Sequence, residues 1–507
     1  MGSLFIIEAP GKRNELSNML WHCGIRNAKV MATVGHLGTN PDKFTPLGID
    51  SGYEELAYRL KPEKEVLAFE IEAAAREADK IYIATDDDQE GHVIARDALR
   101  FCISPEDHPK VLRLRLKALA ANEIKAAIKE AAPFDPLSAA KGDARRVVDR
   151  LIGSLSSDQG AVGRVQGSTL LMLQEQRPVV GVMTYTMKSF DDCGPWTAQV
   201  AVYAGQDIPE HSGVVDCLAD AGKSAPCALA DHVMDYGDIV LSGSLALDVS
   251  ISEASSALQR LYERGDMSYP RSRDHAITPE AFKRVMAMAK INGAAFNPRL
   301  FKQVRNLDGE YAHESPNPLI VDVPLNRDSA LLGFDERVLV HIARQLVSCA
   351  VPAMVEQPRM IDLAELPSNV AMLNWRRVVP VGGVLWEAKA VEPGFKPWTT
   401  EQSLLHFMQK NELGRPSTWI NHVEKFLARS LVDENFELTQ KGRDWSYTVG
   451  EIFGHKNISK MVEHYLDDNK KPAPEMVADI IEMCGLAEKI GSAVIQESDN
   501  EYQTFEI

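Results

Sequence analysis

The chain has 507 residues, which is too long for one hydrophobic core and predicts about three or four domains. Its hydrophobic content of 45% and charged content of 25% are typical of globular proteins. No apolar run approaches the roughly 20 residues that cross a bilayer. The N-terminal stretch "MGSLFIIEAPGK" has no basic region followed by an apolar core, so it does not read as a secretory signal. These features predict a cytoplasmic protein.

Charge and cysteine usage exclude further classes. A net charge of −17 does not favour a nucleic-acid-binding protein, although a basic groove can coexist with acidic outer faces. The seven cysteines are scattered and never spaced as C-x-x-C, which argues against a disulfide framework and against a zinc ribbon. The stretch "AGKSA" lacks the first glycine of a phosphate-binding loop, because Cys217 stands there. We therefore expect neither zinc nor ATP as a cofactor.

The first 130 residues alternate between strand and helix patterns. Residues 4–7 ("LFII") and 81–85 ("IYIAT") predict buried strands. A helix is predicted near 67–79, and another follows the second strand after an acidic loop. This alternation indicates a compact α/β domain.

The rest of the chain changes character several times. It is helical from about 138 to 176, with one glycine-bearing break, and then reads as β structure over 181–250. Helices are predicted near 253–264 and 278–291, and again over "DERVLVHIARQLVSC", after which β-type sequence returns. Helices close the chain from about 400. Because the β-type region is entered twice, we expect domains built from non-contiguous segments.

The loop "ATDDDQEG" carries four carboxylates within five positions. Asp86, Asp88 and Glu90 alternate, so an extended loop could direct all three toward one Mg²⁺ ion. Glu8 ends the other predicted strand and joins the cluster if the two strands are neighbours. Carboxylates that close would raise the pKa of one of them, which makes Glu8 a candidate general acid. The alternative is an ordinary solvated acidic loop.

Two later segments could carry phosphate chemistry. In "LYERGDMSYPRSRDHAITPE", Tyr269 is followed two residues on by Arg271, and a phenolate that attacks phosphorus needs a cation on the non-bridging oxygens. In "AHESPNP", His313 stands beside Glu314. Taken alone, a tyrosine before proline usually packs, and a single histidine is more often structural than catalytic.

Taken in order, these segments resemble the type IA DNA topoisomerases. "FIIEAPGK" resembles the family's first strand and its E-x-P-x-K turn, "ATVGHLGTN" its V-G-H segment, and "ATDDDQEG" the D-x-D-x-E element of its TOPRIM domain. "DARRVVDRLIG" and "VGRVQGSTL" resemble two helical segments of its DNA gate. "LYERGDMSYPRS", "AHES" and "ELGRPSTWINHVEKFLARSLV" resemble its tyrosine, histidine and late G-R-P-S-T motifs. The resemblance runs from the first strand to beyond residue 440.

The resemblance implies a fold, an activity and a role for each matching residue. It implies a multidomain α+β toroid that relaxes DNA, or decatenates it, without ATP through a single-strand break and a 5′-phosphotyrosine. Tyr269 would be the nucleophile, Glu8 would protonate the leaving oxygen, and Lys12 would support the phosphate. Arg271 would hold the scissile phosphate beside His313.

The resemblance also implies ligands and partners. Mg²⁺, mainly for religation, would be held by Asp86, Asp88 and Glu90. The groove for single-stranded DNA would be lined by Arg145, Arg146, Asp149, Arg164, Gln166, Arg415 and Thr418. Arg146 and Arg150 lie four residues apart, on one helix face. The bland interpretation of "DARRVVDR" is a solvated face with an ion pair to Asp149. We expect a monomer that binds single-stranded or underwound DNA.

The resemblance implies four units. They are a TOPRIM domain (1–137), a helical DNA-binding gate domain (138–180 and 400–507), a β-rich arch (181–240 and 335–399) and a helical domain carrying the active-site tyrosine (241–334).

The chain departs from the family pattern in its acidic and tyrosine motifs. Asp87 and Gln89 replace the usual Pro and Arg, His92 replaces a Glu, and Arg273 replaces an Asp after the tyrosine. The chain ends in acidic "ESDNEYQTFEI" rather than a Cys₄ zinc ribbon. Two other functions stay open: a metal-dependent TOPRIM nuclease in which Tyr269 is structural, and a catalytically altered relative that only binds single-stranded DNA.

Overall fold

The structure is a computed structural model. It describes residues 2–44, 47–116, 121–156, 162–207, 212–306, 313–360, 370, 372–382, 386, 391–454 and 457–495. The acidic C-terminal stretch noted above lies outside the described residues.

The N-terminal region is built on a parallel sheet of four strands in the order β2-β1-β5-β6. These strands are β1 (Ser3–Ile7), β2 (Ala28–Ala32), β5 (Lys80–Ile83) and β6 (Val111–Arg113), and a separate two-stranded sheet pairs β3 (Gly38–Thr39) with β4 (Arg59–Leu60). Leu4 and Ile6 enter the core on one face of the sheet, whereas Phe5 and Ile7 enter the core on the other. A strand buried on both faces is a continuous apolar run, as the sequence predicted.

Helices cover the two faces of this sheet. They are α1 (Arg13–His22), α2 (Glu65–Glu77), α3 (Gln89–Cys102) and α4 (Ala121–Glu130), with short 3₁₀ turns at Pro10–Lys12, Pro62–Lys64 and Pro105–Lys110. Helix α3 begins directly after the acidic loop because the Asp88 side chain accepts a hydrogen bond from the Gly91 amide at 2.7 Å. The start of this helix therefore fixes the position of the loop.

Two helices and a second sheet follow. Helices α5 (Leu137–Ser154) and α6 (Arg164–Glu175) come first. The predicted break at "GAVGRVQGS" is shorter than expected, because α6 already begins at Arg164, and residues 160–161 of that stretch lie outside the described residues. The sheet has six strands: β7 (Val179–Ser189), β8 (Trp196–Tyr203), β9 (Val214–Ala228), β10 (Pro352–Met360), β11 (Arg377–Pro380) and β12 (Gly394–Pro397). Strand β10 pairs antiparallel with β9 across more than a hundred residues of chain. One sheet is thus built from two separate segments, and its core contains Trp196 and Trp375.

Between these segments lie helices α7 (Tyr236–Leu247), α8 (Ile251–Glu263), α9 (Pro279–Asn292) and α10 (Phe334–Ser348), and 3₁₀ turns at Pro298–Leu300 and Ser329–Leu331. Helix α7 corrects the prediction of β structure up to residue 250. Its start is set by a capping box in which Asp235 and Asp238 exchange side-chain and backbone hydrogen bonds. That signal outweighs the β-type composition of the segment.

The C-terminal helices are α11 (Thr400–Lys410), α12 (Pro416–Ala428), α13 (Gln440–Phe453), α14 (Ile458–Asp468), α15 (Ala473–Cys484) and α16 (Ala487–Ile495). Together with helices α5 to α10 they share one apolar core, in which Trp419 and Phe426 are each 1% exposed. Within the described ranges, no helix is long and apolar enough to cross a membrane.

The division into four units stays a prediction. Helix α10 packs against α8 and α9, which carry the tyrosine-bearing segment. We therefore propose to place the boundary of that unit after Ser348 rather than before Asp335.

We predict that Gly91→Ala displaces the acidic loop. A Cβ at position 91 would lie 2.0 Å from the Asp86 carbonyl oxygen, and a backbone atom cannot rotate away. We expect a loss of about 1–3 kcal/mol of stability, measured as a lower midpoint of thermal unfolding. The matched control is Gly243→Ala in α7, where an added Cβ meets nothing within 4 Å. Equal midpoints for both variants would contradict this prediction.

Candidate active site and DNA cleft

Strands β1 and β5 bring the predicted acidic residues to one edge of the sheet. The two strands pair in parallel, with Ile6 opposite Ile83. Glu8 follows the first strand and Asp86 follows the second, so both lie beyond the carboxyl ends of neighbouring strands. The sequence places Glu8 beside the acidic loop if the two strands are neighbours, and the structure shows that they are.

Lys12 neutralises one of these carboxylates. Its ammonium group donates to Asp86 Oδ1 at 2.7 Å, and Lys12 is only 6% exposed. Burial opposes both charges, yet each partner stabilises the other: the pKa of Lys12 is raised and the pKa of Asp86 is lowered. This pair is therefore ionised at neutral pH.

Glu8 behaves differently. Burial, followed by repulsion from Asp86 and Asp88, raises the pKa of Glu8 to about 8, against the opposing effect of Lys12. Glu8 is therefore protonated at neutral pH, which is the state required of a general acid.

The three predicted metal ligands have separate partners. Asp88 accepts from the Tyr269 hydroxyl at 2.6 Å in addition to capping α3. Glu90 lies 2.7 Å from His36 Nε2 and 3.7 Å from Arg145 Nη1. Burial works against the Glu90 charge, but these two partners lower its pKa to about 2. No group of three or more potential ligands close enough to hold a metal ion occurs among the residues that the structure describes. As arranged, Asp86, Asp88 and Glu90 do not form a metal site.

Tyr269 lies in the middle of the site. It is 8% exposed, and its ring stacks on the His313 ring with centroids 4.4 Å apart. Burial and then Asp88 raise the pKa of Tyr269 well above its usual value. Arg271 lines the same cleft as Tyr269 and lowers the pKa of Tyr269, against the effect of Asp88 and Asp86. The phenol is thus protonated and donates its hydrogen to Asp88.

A cleft of about 890 Å³ opens over Tyr269. Its basic lining residues are Lys141, Arg145, Arg271, Arg273, Lys302, Arg305, Arg415 and Lys470, and its carboxylates are Asp88, Glu90, Asp274 and Asp467. The chain as a whole has 72 acidic and 55 basic side chains, so this excess of cations is local. A narrow basic cleft is the electrostatic footprint expected of a polyanion site.

Three of the arginines predicted to bind DNA converge on Glu463 in α14. Arg145 Nη2 lies 2.9 Å and Arg164 Nη2 lies 2.7 Å from its carboxylate, and Arg415 donates to it as well. Glu463 is 1% exposed, and the three cations hold its pKa well below the usual value despite burial. Nη1 of Arg145 is buried without a hydrogen-bond partner among the described residues and lies 3.7 Å from Glu90.

Arg146 and Arg150 are not in the cleft. Arg146 binds Glu55 and Asp143 and packs on the Tyr58 ring, 4.1 Å from its centroid. Arg150 donates to the carbonyl oxygens of Leu47, Pro41 and Lys43. Both side chains therefore fix the 38–58 segment to α5 in this structure.

The sequence also predicts Asp149, Gln166 and Thr418 in the DNA groove, and each of them bonds to another residue of the protein. Asp149 accepts from Arg164 Nε at 2.5 Å, Gln166 accepts from Arg429, and Thr418 caps α12 at Arg415. Gln166 is 6% exposed.

The residues that differ from the family pattern contact each other or line the cleft. His92 lies 3.3 Å from Asp87, and both side chains are largely buried. Gln89 accepts from Arg145 and donates to Asp467 at 3.1 Å. Arg273 donates to the Gly414 carbonyl and faces the Trp419 ring.

Sequence reasoning missed several residues that shape the site. Arg113 is buried and donates to the carbonyl oxygens of Ile83, Thr85 and Asp86, which holds the acidic loop in place. Glu463 had a usable signal, because Glu463 and Asp467 lie four residues apart on one helix face. Tyr262 also belongs here; it lies in the tyrosine motif itself, seven residues before Tyr269.

Comparison with known proteins shows which proteins this chain is similar to. The Toprim domain family matches residues 3–119. The chain is 27% identical to a plasmid DNA topoisomerase I of Xylella fastidiosa, over 78% of this chain and 61% of that protein. It is 23% identical to DNA topoisomerase 1 of Aquifex aeolicus, over 85% of this chain and 87% of that protein. The chain thus spans less than two-thirds of the first of these relatives.

The full-length topoisomerase I of Thermotoga maritima has the same fold, with a TM-score of 0.67 and 17% identity over 98% of this chain and 91% of the other. The chain is therefore a Toprim-containing protein with the multidomain α+β architecture of a toroidal topoisomerase, as the sequence predicted. The chain is similar to bacterial DNA topoisomerases I over most of its length, which supports the resemblance found in its sequence.

We predict that Glu8 makes the stability of the metal-free protein depend on pH. Its pKa is about 8 in the folded state against 4.5 for the unperturbed group. Between these values the folded state holds a proton that the unfolded chain has lost, so stability falls as pH rises through the window. Glu8→Gln lacks this group. In EDTA, wild type should lose more thermal stability than Glu8→Gln between about pH 5 and pH 8.5.

The control for this comparison is Glu70→Gln on the exposed side of α2, which should follow wild type. Parallel pH profiles for wild type and Glu8→Gln would refute the raised pKa.

Proposed function

We propose that this protein is an ATP-independent DNA topoisomerase that cleaves one strand through Tyr269, passes DNA through the break and reseals it. The observation that carries the proposal is the Tyr269 hydroxyl, which lies 2.6 Å from Asp88 at the floor of a basic cleft. Lys12 and a protonated Glu8 lie at the same edge of the sheet. A nucleophile, a proton acceptor and a proton donor are thus present together.

The cleavage step follows from these groups. The Tyr269 oxygen attacks a backbone phosphorus and its proton passes to Asp88. The bond between phosphorus and the 3′-oxygen breaks, and that oxygen takes the proton of Glu8. The products are a 5′-phosphotyrosine and a free 3′-hydroxyl. Religation is the reverse reaction, so the phosphodiester energy is conserved and no nucleotide is consumed.

Charge stabilisation comes from neighbouring cations. Arg271 lines the cavity beside Tyr269 and would bind a non-bridging oxygen of the scissile phosphate. His313 stacks on the nucleophile, and its Nε2 is buried without a hydrogen-bond partner among the described residues. That nitrogen is free to contact a phosphate oxygen. Lys12 binds Asp86 and would support the phosphate either through this carboxylate or by direct contact.

The DNA would be single-stranded or underwound. The cleft cations would contact its phosphates, so binding should weaken as salt rises. Arg145 and Arg415 line the cleft and, together with Arg164, bind Glu463. We propose that Arg146 has a structural role, because Glu55 and Asp143 already bind its guanidinium.

Mg²⁺ remains part of the proposal without a step assigned to it. Asp86 and Asp88 repel Glu8, and a divalent cation near them would relieve that repulsion. Glu90 would have to leave His36 to join such a site. The expectations of no zinc, of a monomer and of a cytoplasmic location also remain predictions.

The nuclease and the binding-only relative are the competing functions. Both require Tyr269 to be inert, whereas its hydrogen bond to Asp88 and its place under the cleft favour a reactive role.

We predict a covalent adduct that depends on Tyr269. The protein is incubated with single-stranded DNA labelled at the 3′ or the 5′ end, with and without Mg²⁺, and then denatured. Wild type should retain the 3′ label, because the downstream strand stays bound through its 5′-phosphate, whereas Tyr269→Phe should give no adduct. The control is Tyr185→Phe in the second sheet, which should behave as wild type. Free cut DNA produced by Tyr269→Phe would indicate a nuclease, and bound but intact DNA with wild type would indicate a binding-only relative.

We further predict that adjacent arginines differ. Arg145→Ala should weaken single-stranded DNA binding and reduce the slope of log K against log salt by about 1, because one phosphate contact is lost. Arg146→Ala should leave that slope unchanged and lower the midpoint of thermal unfolding. Salt titrations of binding by fluorescence anisotropy measure both. Equal slopes for the two variants would contradict the different roles proposed for Arg145 and Arg146.

A further inference from the structure

A second tyrosine lies beside the nucleophile. Tyr262, near the end of α8, is 8% exposed, and its hydroxyl donates to Asp86 Oδ1 at 3.2 Å. The Lys12 ammonium lies 3.8 Å from the centroid of its ring, a cation–π distance. The Tyr262 and Tyr269 rings meet edge to face with centroids 5.6 Å apart.

These contacts join two parts of the chain. Asp86 and Lys12 belong to the Toprim domain, whereas Tyr262 and Tyr269 belong to the tyrosine-bearing segment (residues 251–271). Glu263 adds to the same junction, since its carboxylate oxygen lies 3.0 Å from the position that a Cβ on Gly11 would occupy. Strand passage requires these two parts to separate while the broken ends stay attached to the protein.

Cleavage changes the two tyrosine contacts unequally. Once Tyr269 becomes a phosphodiester it has no hydrogen to donate, so its bond to Asp88 is lost. The contacts of Tyr262 with Asp86 and Lys12 involve no reacting atom and survive the chemistry. Both remain intact in the covalent intermediate as long as the two parts stay together.

We propose that Tyr262 is a positioning residue that holds the tyrosine-bearing segment against Asp86 and Lys12 after cleavage, and so sets whether the intermediate religates or opens. This inference rests on the proposed function. It assigns the residue no part in bond making: Tyr262 acts through Asp86 and Lys12, which keep the 3′-end and the phosphotyrosine aligned.

Two variants separate the two contacts. Tyr262→Phe keeps the ring over Lys12 and removes the hydrogen bond to Asp86, whereas Tyr262→Leu removes both. The intermediate should open more often in each, so the adduct fraction on labelled single-stranded DNA should rise about two- to threefold in Tyr262→Phe and further in Tyr262→Leu. Religation after a jump to high salt should slow in the same order. Tyr185→Phe is the control.

The direction of the change tests the inference. A variant that is merely damaged cleaves less DNA, so a structural role lowers the adduct fraction, whereas loss of the proposed contact raises it. An adduct fraction and religation rate equal to wild type in Tyr262→Phe would overturn the role of the hydroxyl. A fall in both variants would also overturn the inference, because it would mean that the substitutions impair cleavage and do not release the intermediate. Absence of any adduct in wild type would instead refute the proposed function, a separate result.

Discussion

The site depends on the burial of three carboxylates at the ends of two adjacent parallel strands. Glu8, Asp86 and Asp88 cannot all be ionised in a poorly solvated space without compensation. The structure compensates in three ways: Lys12 pairs with Asp86, Glu8 keeps its proton, and Asp88 accepts hydrogen bonds from the α3 amide and from Tyr269. The same electrostatic constraint therefore produces a cation, an acid and a proton acceptor within one small volume. Pairing keeps Lys12 and Asp86 charged against the effect of burial, whereas burial and the neighbouring carboxylates keep the proton on Glu8.

Beside the cleft the charges are reversed, because several cations surround one buried carboxylate. Three arginines surround one buried carboxylate, Glu463, so two excess positive charges remain there before Asp149 and Asp467 are counted. Without Glu463 the guanidinium groups would repel each other, and mutual repulsion already lowers the pKa of Arg145, after burial. The carboxylate therefore keeps the arginines in place in the absence of DNA. A phosphate that enters the cleft meets cations that are already positioned, which reduces the ordering cost of binding.

The sequence predicted the parts that depend on local pattern. Apolar runs before Glu8 and before the acidic loop predict two strands, and the structure shows that they are neighbours, which the sequence left open. The motif around Tyr269 predicts a nucleophile, and the structure places this side chain at the cleft, whereas its role in catalysis stays a prediction. The sequence could not predict which acid each arginine would bind, because Arg145 and Glu463 are 318 residues apart in the chain. For the same reason Arg145 and Arg146 looked equivalent, although successive helical residues point about 100° apart and reach different neighbours. Helix α7 differs from the β structure that its composition predicts, because the capping pair Asp235 and Asp238 starts a helix there.

In the proposed mechanism, neighbouring carboxylates and tyrosines have separate roles in chemistry and in alignment. Asp88 contacts Tyr269 and Asp86 contacts Tyr262, so two of the four acidic side chains of the loop each meet one aromatic hydroxyl of the facing segment. Only the first pair contains a reacting atom. If both pairs changed during cleavage, neither hydroxyl contact would hold the broken ends in register, and religation would compete poorly with opening. If neither changed, the two parts would stay together and no strand could pass. A site in which one contact is lost on cleavage and the other is kept gives an intermediate that is weakened but still aligned, which is the state a reversible strand break requires.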